Sequence, residues 1–266
     1  MPDVFMVNFL IAGTQKGGTA ALMHFLFQHP EICMAPCKEV HLFDSNNYNE
    51  ALSPDEINKI YKNSFPNYKD QEIIGEATPD YMYHPIVAKR IMQYNPHMKI
   101  ILLLRNPIER ASSHYGMRVR KARESLPFIL AILIEMARLW FGKHNYTFIR
   151  PAPRYSFSYL DRGFYSKQLM NLYKYFPKEQ ILIINSDMLL KDHANTIKTV
   201  YNFLGIKDMS FIPKHELLKM TQIKYKPSIF ESWLLNKIFH KEIIKLENML
   251  GWDLTSWKSP ARPIDL

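Results

Sequence analysis

The feature that most restricts this chain lies near its start. Val7-Asn8-Phe9-Leu10-Ile11-Ala12 is a short, mainly apolar run closed by Gly13, and it reads as a buried strand. From Thr19 to Gln28, Ala21, Leu22, Phe25 and Leu26 recur at helical spacing, and Pro30 stops the pattern. The link between them is Gly13-Thr14-Gln15-Lys16-Gly17-Gly18-Thr19. A helix N-terminus carries unpaired N–H groups and the positive end of the helix dipole, so it is a natural anion site. Glycines let the backbone approach the anion closely. Lys16 adds charge and Thr19 a hydroxyl.

The rest of the chain repeats the alternation. Glu72–Gly75 reads as a second strand, and Pro85–Tyr94 as a helix ending before Pro96. Lys99–Leu104 is the clearest strand, because an unbroken apolar run suits a strand covered on both faces. A helix is expected to start near Pro107, a residue suited to a first helical turn. Tyr165–Phe176 reads as a helix and Gln180–Ile184 as a further strand. Asn195–Leu204 and Trp233–Leu250 read as helices, the last stopped by Gly251. This predicts an α/β fold, with an open, mostly parallel sheet flanked by helices and a P-loop-like first turn. One domain over residues 1–266 is expected. Arg118–Arg162 breaks the alternation, with Pro127, Pro151 and Pro153 among arginines and aromatics. It reads as a helical insertion followed by a long loop, the kind of segment that covers a binding site. The apolar stretch Phe128–Ile134 would pack one helical face on the domain or on a second copy of the chain, so a homodimer is an open expectation.

Composition removes several classes. Hydrophobic residues make up 47% and charged residues 22% of the 266, which excludes wholesale disorder and a coiled coil. Cys33 and Cys37 suit neither a disulfide framework nor a four-ligand zinc site, and free thiols in a reducing cytosol are expected. The N-terminus has Asp3 and no basic stretch, so no secretory signal is expected and a cytoplasmic location is. Phe128–Phe141 is too short, and with Glu135 and Arg138 too charged, to span a bilayer. The balance of 34 Lys and Arg against 25 Asp and Glu gives +9, which admits a phosphorylated ligand, an acidic polymer, nucleic acid or an anionic membrane. His24 and His29 share a helix without convincing partners and read as surface or packing residues.

The glycine loop nearly matches a Walker A motif, with Gly13, four residues and then Gly18, but Thr19 stands where that motif requires lysine. No apolar strand ends in an obvious magnesium-binding aspartate. The expected ligand is therefore phosphate-like without being magnesium-ATP. A second anion site is expected at Arg105, which ends a buried strand at the edge where open α/β sheets bind ligands. Ser113 follows about two helical turns later and can face the same side. Arg with Ser makes a phosphate clamp; Glu109 is the local carboxylate that Arg105 would pair with otherwise. These residues leave two other readings open. One is a P-loop-like kinase, marked by magnesium-dependent nucleotide binding. The other is a basic RNA- or membrane-binding protein using Arg118, Arg120, Lys121, Arg123, Arg138, Lys143, Arg150 and Arg154, marked by steep salt dependence.

Lys16-Gly17-Gly18-Thr19 after a strand, with Arg105-Asn106-Pro107-x-x-Arg110-x-x-Ser113-His114-Tyr115, resembles the sulfotransferases that use 3′-phosphoadenosine 5′-phosphosulfate (PAPS). The likeness is nearer to the heparan-sulfate and bacterial carbohydrate branch. Lys38-Glu39-Val40-His41-Leu42-Phe43-Asp44 resembles that branch's catalytic segment, and Gly75-Glu76-Ala77-Thr78-Pro79-Asp80-Tyr81 its acceptor-side segment. Arg162-Gly163-x-Tyr165-x-x-Gln168-Leu169 and Leu246-Glu247-x-x-Leu250-Gly251-Trp252-Asp253-Leu254-x-x-Trp257 extend the likeness over most of the chain. The chain departs from the animal enzymes at Ala20, where they often carry Arg, and at Ala77, where some carry an acceptor-binding Lys. It also lacks their late disulfide loop.

The resemblance implies transfer of a sulfuryl group from PAPS to an acceptor hydroxyl on a sugar or small natural product, by in-line displacement, leaving 3′-phosphoadenosine 5′-phosphate (PAP). Lys16, Gly17, Gly18, Thr19 and Ala20 would hold the 5′-phosphosulfate. Arg105 and Ser113 would hold the 3′-phosphate, with Tyr165, Lys224 and Lys226 as further donor contacts. Glu39 is the first choice of base. In an extended loop His41 would share its side, to orient Glu39, bind the acceptor or act as base itself. Lys16 would neutralise the bridging oxygen. No metal and no nucleic-acid partner are implied.

Overall fold

Phe9–Gly13 forms strand β1, and every residue of it is buried, as expected of an apolar run in the middle of a sheet. The computed structural model describes residues 5–141, 153–214 and 225–258. The other strands are β2 (Ile32–Met34), β3 (Ile73–Ala77), β4 (Lys99–Leu104) and β5 (Ile181–Asn185). They form one five-stranded sheet in the order β2-β3-β1-β4-β5, and every pairing is parallel. The helices are α1 (Thr19–Phe27), α2 (Pro54–Lys62), α3 (Val87–Tyr94), α4 (Pro107–Arg120), α5 (Phe128–Phe141), α6 (Pro153–Ser156), α7 (Tyr165–Leu172), α8 (Met188–Lys191), α9 (His193–Leu204), α10 (Ile229–Leu250) and α11 (Thr255–Lys258). The chain has the α/β fold with a parallel, P-loop-like sheet that the alternation predicts. No helix among the described residues is long and apolar enough to cross a membrane.

The chain divides into two compact units. The first, residues 1–105 and 170–220, holds the sheet. Its core joins Phe9, Ile11, Ile101, Leu103 and Ile184 of the sheet to Leu22, Phe25 and Leu26 of α1 and to Ile197, Val200 and Tyr201 of α9. His29 is buried there, with Nε2 against the Asp208 carbonyl at 3.0 Å and its ring edge-on to Tyr201, so it is a packing residue. Cys33 is buried, Cys37 exposed, and both thiols are free.

The second unit, residues 106–169 and 221–266, contains the insertion. Within it α5 buries Phe128, Ala131, Ile132 and Glu135 and leaves Leu130, Leu133 and Ile134 exposed, so the apolar stretch is a one-sided helix as expected. Buried polar groups tie the loop that follows. Glu135 accepts the N–H groups of Leu160 and Asp161 at 2.8 and 2.9 Å, and Arg162 Nε donates to Ser158 Oγ at 2.7 Å. The Arg110 guanidinium donates to the carbonyls of Ser158 and Tyr159. Residues 142–152, read as part of the long loop, lie outside the described residues.

Two elements carry no clear sequence signal. Strand β2 has only three residues, too few to show a period. Helix α2 has one turn less than a typical helix, and its start is set by a capping box of Ser53 and Glu56. A second capping box, Ser228 with Glu231, starts α10 four residues ahead of Trp233.

Candidate active site

The carboxyl edge of the sheet brings three segments together. β1 pairs with β3 through Ile11 and Ala77, and with β4 through Gly13 and Leu102. The loop after β1, the turn after β3 and Arg105 after β4 therefore emerge side by side, the usual ligand edge of an open parallel sheet.

The loop is fixed to its neighbours by backbone bonds. Thr14 N donates to the Leu103 carbonyl at 3.0 Å, and Gly17 N to the Thr14 carbonyl at 2.8 Å. Gly17 has no alternative: a Cβ there would sit 2.5 Å from the Leu103 carbonyl oxygen. Gly18 caps α1 at φ 99°, and Lys16 holds φ 69°, a conformation uncommon outside glycine. No side chain caps α1 and no acid lies in its first turn, so its first N–H groups present their positive field to the loop. Thr19 is buried, Lys16 and Ala20 are half-buried, and Gly18 is exposed.

Glu39 sits over the end of β3, its N–H donating to the Ala77 carbonyl at 3.2 Å. The segment is not extended, contrary to expectation: Glu39 has φ 66° and His41 φ 55°. The two side chains meet nonetheless. His41 Nε2 lies 3.0 Å from Glu39 Oε2, and His41 Nδ1 lies 2.9 Å from Asp44 Oδ2. The imidazole is thus held between two carboxylates, one against each ring nitrogen. Asp44 is sealed at 0% side-chain exposure, whereas Glu39 keeps 31%, so the outer carboxylate of the chain is the reachable one. Asp44 completes this chain although its role was not read from the sequence; its signal was the spacing of three residues after His41. Asp80 joins the cluster, with Glu39, His41 and Asp80 each offering one atom within 4.8 Å of the others.

Beneath this segment lies Glu76 of β3, fully buried. Thr78 Oγ1 donates to it at 2.7 Å and Tyr61 OH at 3.2 Å, and the Tyr81 hydroxyl also bonds it. Burial pushes its carboxyl up to about 7, against the opposing pull of these hydroxyls. From the other side, Arg90 donates to the Phe43 carbonyl at 2.6 Å and to Glu50 at 2.7 Å.

The first unit thus gathers Lys16, Gly17, Gly18, Thr19, Ala20, Glu39, His41 and Arg105, the last half-buried just beyond β4. Ser113, half-buried on α4, Tyr165 and exposed Lys226 belong to the second unit. Tyr165 is a core residue there at 0% exposure, which leaves no surface for the direct ligand contact expected of it. Lys224 lies outside the described residues.

Residues 7–247 match the family model described as a sulfotransferase domain. Over 198 residues the chain is 32% identical to heparan sulfate glucosamine 3-O-sulfotransferase 6 of Mus musculus, covering 74% of this chain and 52% of the relative. It is 36% identical over 116 residues to the membrane-associated sulfotransferase kil1 of Dictyostelium discoideum, covering 42% of this chain and 23% of that one. The chain therefore spans about half the length, or less, of these relatives. Among solved structures, a sulfotransferase from Alicyclobacillus acidocaldarius superposes with a TM-score of 0.79 at 26% identity, covering 96% of this chain and 100% of that one. The sulfotransferase domain of the Synechococcus PCC 7002 olefin synthase shares the fold, with a TM-score of 0.50 at 16% identity over 95% of this chain and 98% of that one.

Proposed function

The chain belongs to the sulfotransferase domain family, and on that premise we propose that it transfers the sulfuryl group of PAPS to an acceptor hydroxyl with Glu39 as the base. The single observation that carries this reading is the Glu39–His41–Asp44 chain, standing at the same sheet edge as the glycine loop.

The step is an in-line displacement. The acceptor oxygen attacks sulfur, the bond from sulfur to the bridging phosphate oxygen breaks, and PAP leaves. The hydroxyl proton passes to Glu39. A base in reach of that proton contributes typically about 10²–10⁴-fold. Both His41 nitrogens are already engaged by carboxylates, at 3.0 and 2.9 Å, and Glu39 is the more exposed of the two side chains, which favours Glu39 over His41. His41 then orients Glu39, and Asp44 holds His41. Lys16 and the amides at the start of α1 neutralise the charge that develops on the leaving phosphate. Arg105 holds a donor phosphate at the end of β4. The transfer itself calls for no metal.

The acceptor is a hydroxyl-bearing molecule, a sugar or small natural product. The relatives named for heparan sulfate make a sugar hydroxyl the first acceptor to test. Calorimetry with PAP and with ATP, each with and without magnesium, tests the donor. PAP binding without magnesium is expected; magnesium-dependent ATP binding with no response to PAP would overturn the reading in favour of a kinase.

A further inference from the structure

Glu39 and His41 hold left-handed backbone conformations at φ 66° and 55°. Such conformations persist only where the surroundings over-determine them. The bonds that do so converge on one buried side chain. His41 N donates to Thr78 Oγ1 at 3.4 Å. Leu42 N and Phe43 N donate to Tyr81 OH at 3.0 and 3.4 Å. Both hydroxyls in turn bond Glu76.

We propose that Glu76 is a positioning residue for sulfuryl transfer: by taking the protons of the Thr78 and Tyr81 hydroxyls, it turns their lone pairs toward the backbone of residues 41–43 and so holds the Glu39–His41–Asp44 chain in place. This rests on the reading of Glu39 as base. A hydroxyl has one proton and two lone pairs. Once that proton is committed to Glu76, only acceptor capacity is left for the catalytic segment. A carboxylate has room for about four such bonds, enough for Thr78, Tyr81 and Tyr61 together. An amide in its place offers one acceptor oxygen and a donor group. At least one hydroxyl must then turn round, and the backbone N–H groups above it meet a proton. Burial opposes the ionised form of Glu76 and is the largest influence on it, so stability alone gives little reason for a carboxyl here. Its geometry gives a reason, since its hydroxyl partners reach three consecutive amides of the catalytic segment.

The test uses the full chain and the Glu76→Gln variant. Three quantities are read: hydrogen exchange at the amides of His41, Leu42 and Phe43; PAP affinity by calorimetry; and kcat and KM with labelled PAPS and a heparan sulfate oligosaccharide. Exchange at those amides should quicken at least tenfold. Turnover should fall about ten- to a hundredfold, with PAP affinity and the KM for PAPS within twofold of the parent. In the parent chain, Thr78→Ser keeps the hydroxyl and should leave exchange at His41 as in the parent, while Thr78→Val should quicken it. If Glu76→Gln does not fold, Glu76→Leu decides, since it removes the acceptor of both hydroxyls while leaving Thr78 and Tyr81 in place: faster exchange at His41, Leu42 and Phe43 supports the proposal. A folded Glu76→Gln, or a folded Glu76→Leu, with parental exchange at these amides overturns it. The exchange readout does not depend on turnover. An active Glu39→Gln variant would therefore sink the base assignment while the role of Glu76 was judged separately.

Discussion

A carboxylate that must accept a proton needs access, and one that must hold a histidine needs shelter. Glu39 and Asp44 divide these demands, with 31% and 0% of their side chains exposed. Glu39→Gln should therefore leave PAP affinity unchanged and lower kcat by about 10²–10⁴-fold; steady-state kinetics beside calorimetry checks both halves. Asp44→Asn should lower kcat less, because His41 keeps its bond to Glu39. Arg105→Ala should weaken PAP binding by roughly 10- to 150-fold, the equivalent of about 1.5–3 kcal/mol for a lost charge-assisted contact. A parental dissociation constant would remove Arg105 from the donor site. At this scale the sequence is legible where one short motif holds the chemistry: Glu39 and His41 lie two residues apart. The left-handed backbone that brings them within 3.0 Å is not legible, because glutamate carries no preference for a positive φ and the enrichment of histidine there still covers only a small minority of histidines. Glu76 was hidden for a related reason. A carboxyl inside an apolar strand shows no sign of which distant hydroxyls will meet it.

Elements were read well when their pattern was long or doubly buried. Lys99–Leu104 is a strand over the residues expected, since a strand flanked on both edges and covered on both faces must be apolar throughout. Strand β2 went unread because three residues carry no period, and α2 because its signal lies in its cap. Ser53→Ala should cost about 1 kcal/mol of stability, the usual value of an N-cap, seen as a lower denaturation midpoint with parental PAP affinity. The glycine loop makes the opposite prediction. Gly17→Ala would set a Cβ 2.5 Å from the Leu103 carbonyl, and neither backbone can yield without breaking the Thr14–Leu103 bond that seats the loop on β4. That variant should lose PAP binding far beyond its loss of stability, and calorimetry on the folded fraction separates the two.

For the whole molecule, the buried carboxyls set how stability follows pH. Glu76 in the first unit and Glu135 in the second are each pushed up to about 7, chiefly by burial. Burial also raises Glu242. An unfolded chain loses these protons near 4.5, while the folded one keeps them to about 7. Between those values the native state binds more protons, so raising the pH favours unfolding. The shift of about 2.5 units is worth roughly 3 kcal/mol per fully buried carboxyl. Stability should therefore fall as pH rises from about 5 to 7 and level off above that, the reverse of a fold held by salt-bridged carboxylates. Thermal melts across this range check the slope. Glu76→Gln removes one of the titrating groups, so its melting temperature should fall less steeply over the same interval, and a variant curve parallel to the parent's would show that Glu76 does not carry its share. The interval covers neutral pH, where ionised Glu76 is the form that accepts all its hydroxyl donors. The molecule then gives up stability over the same interval in which its catalytic segment becomes better held, so turnover should rise with pH where the melting temperature falls.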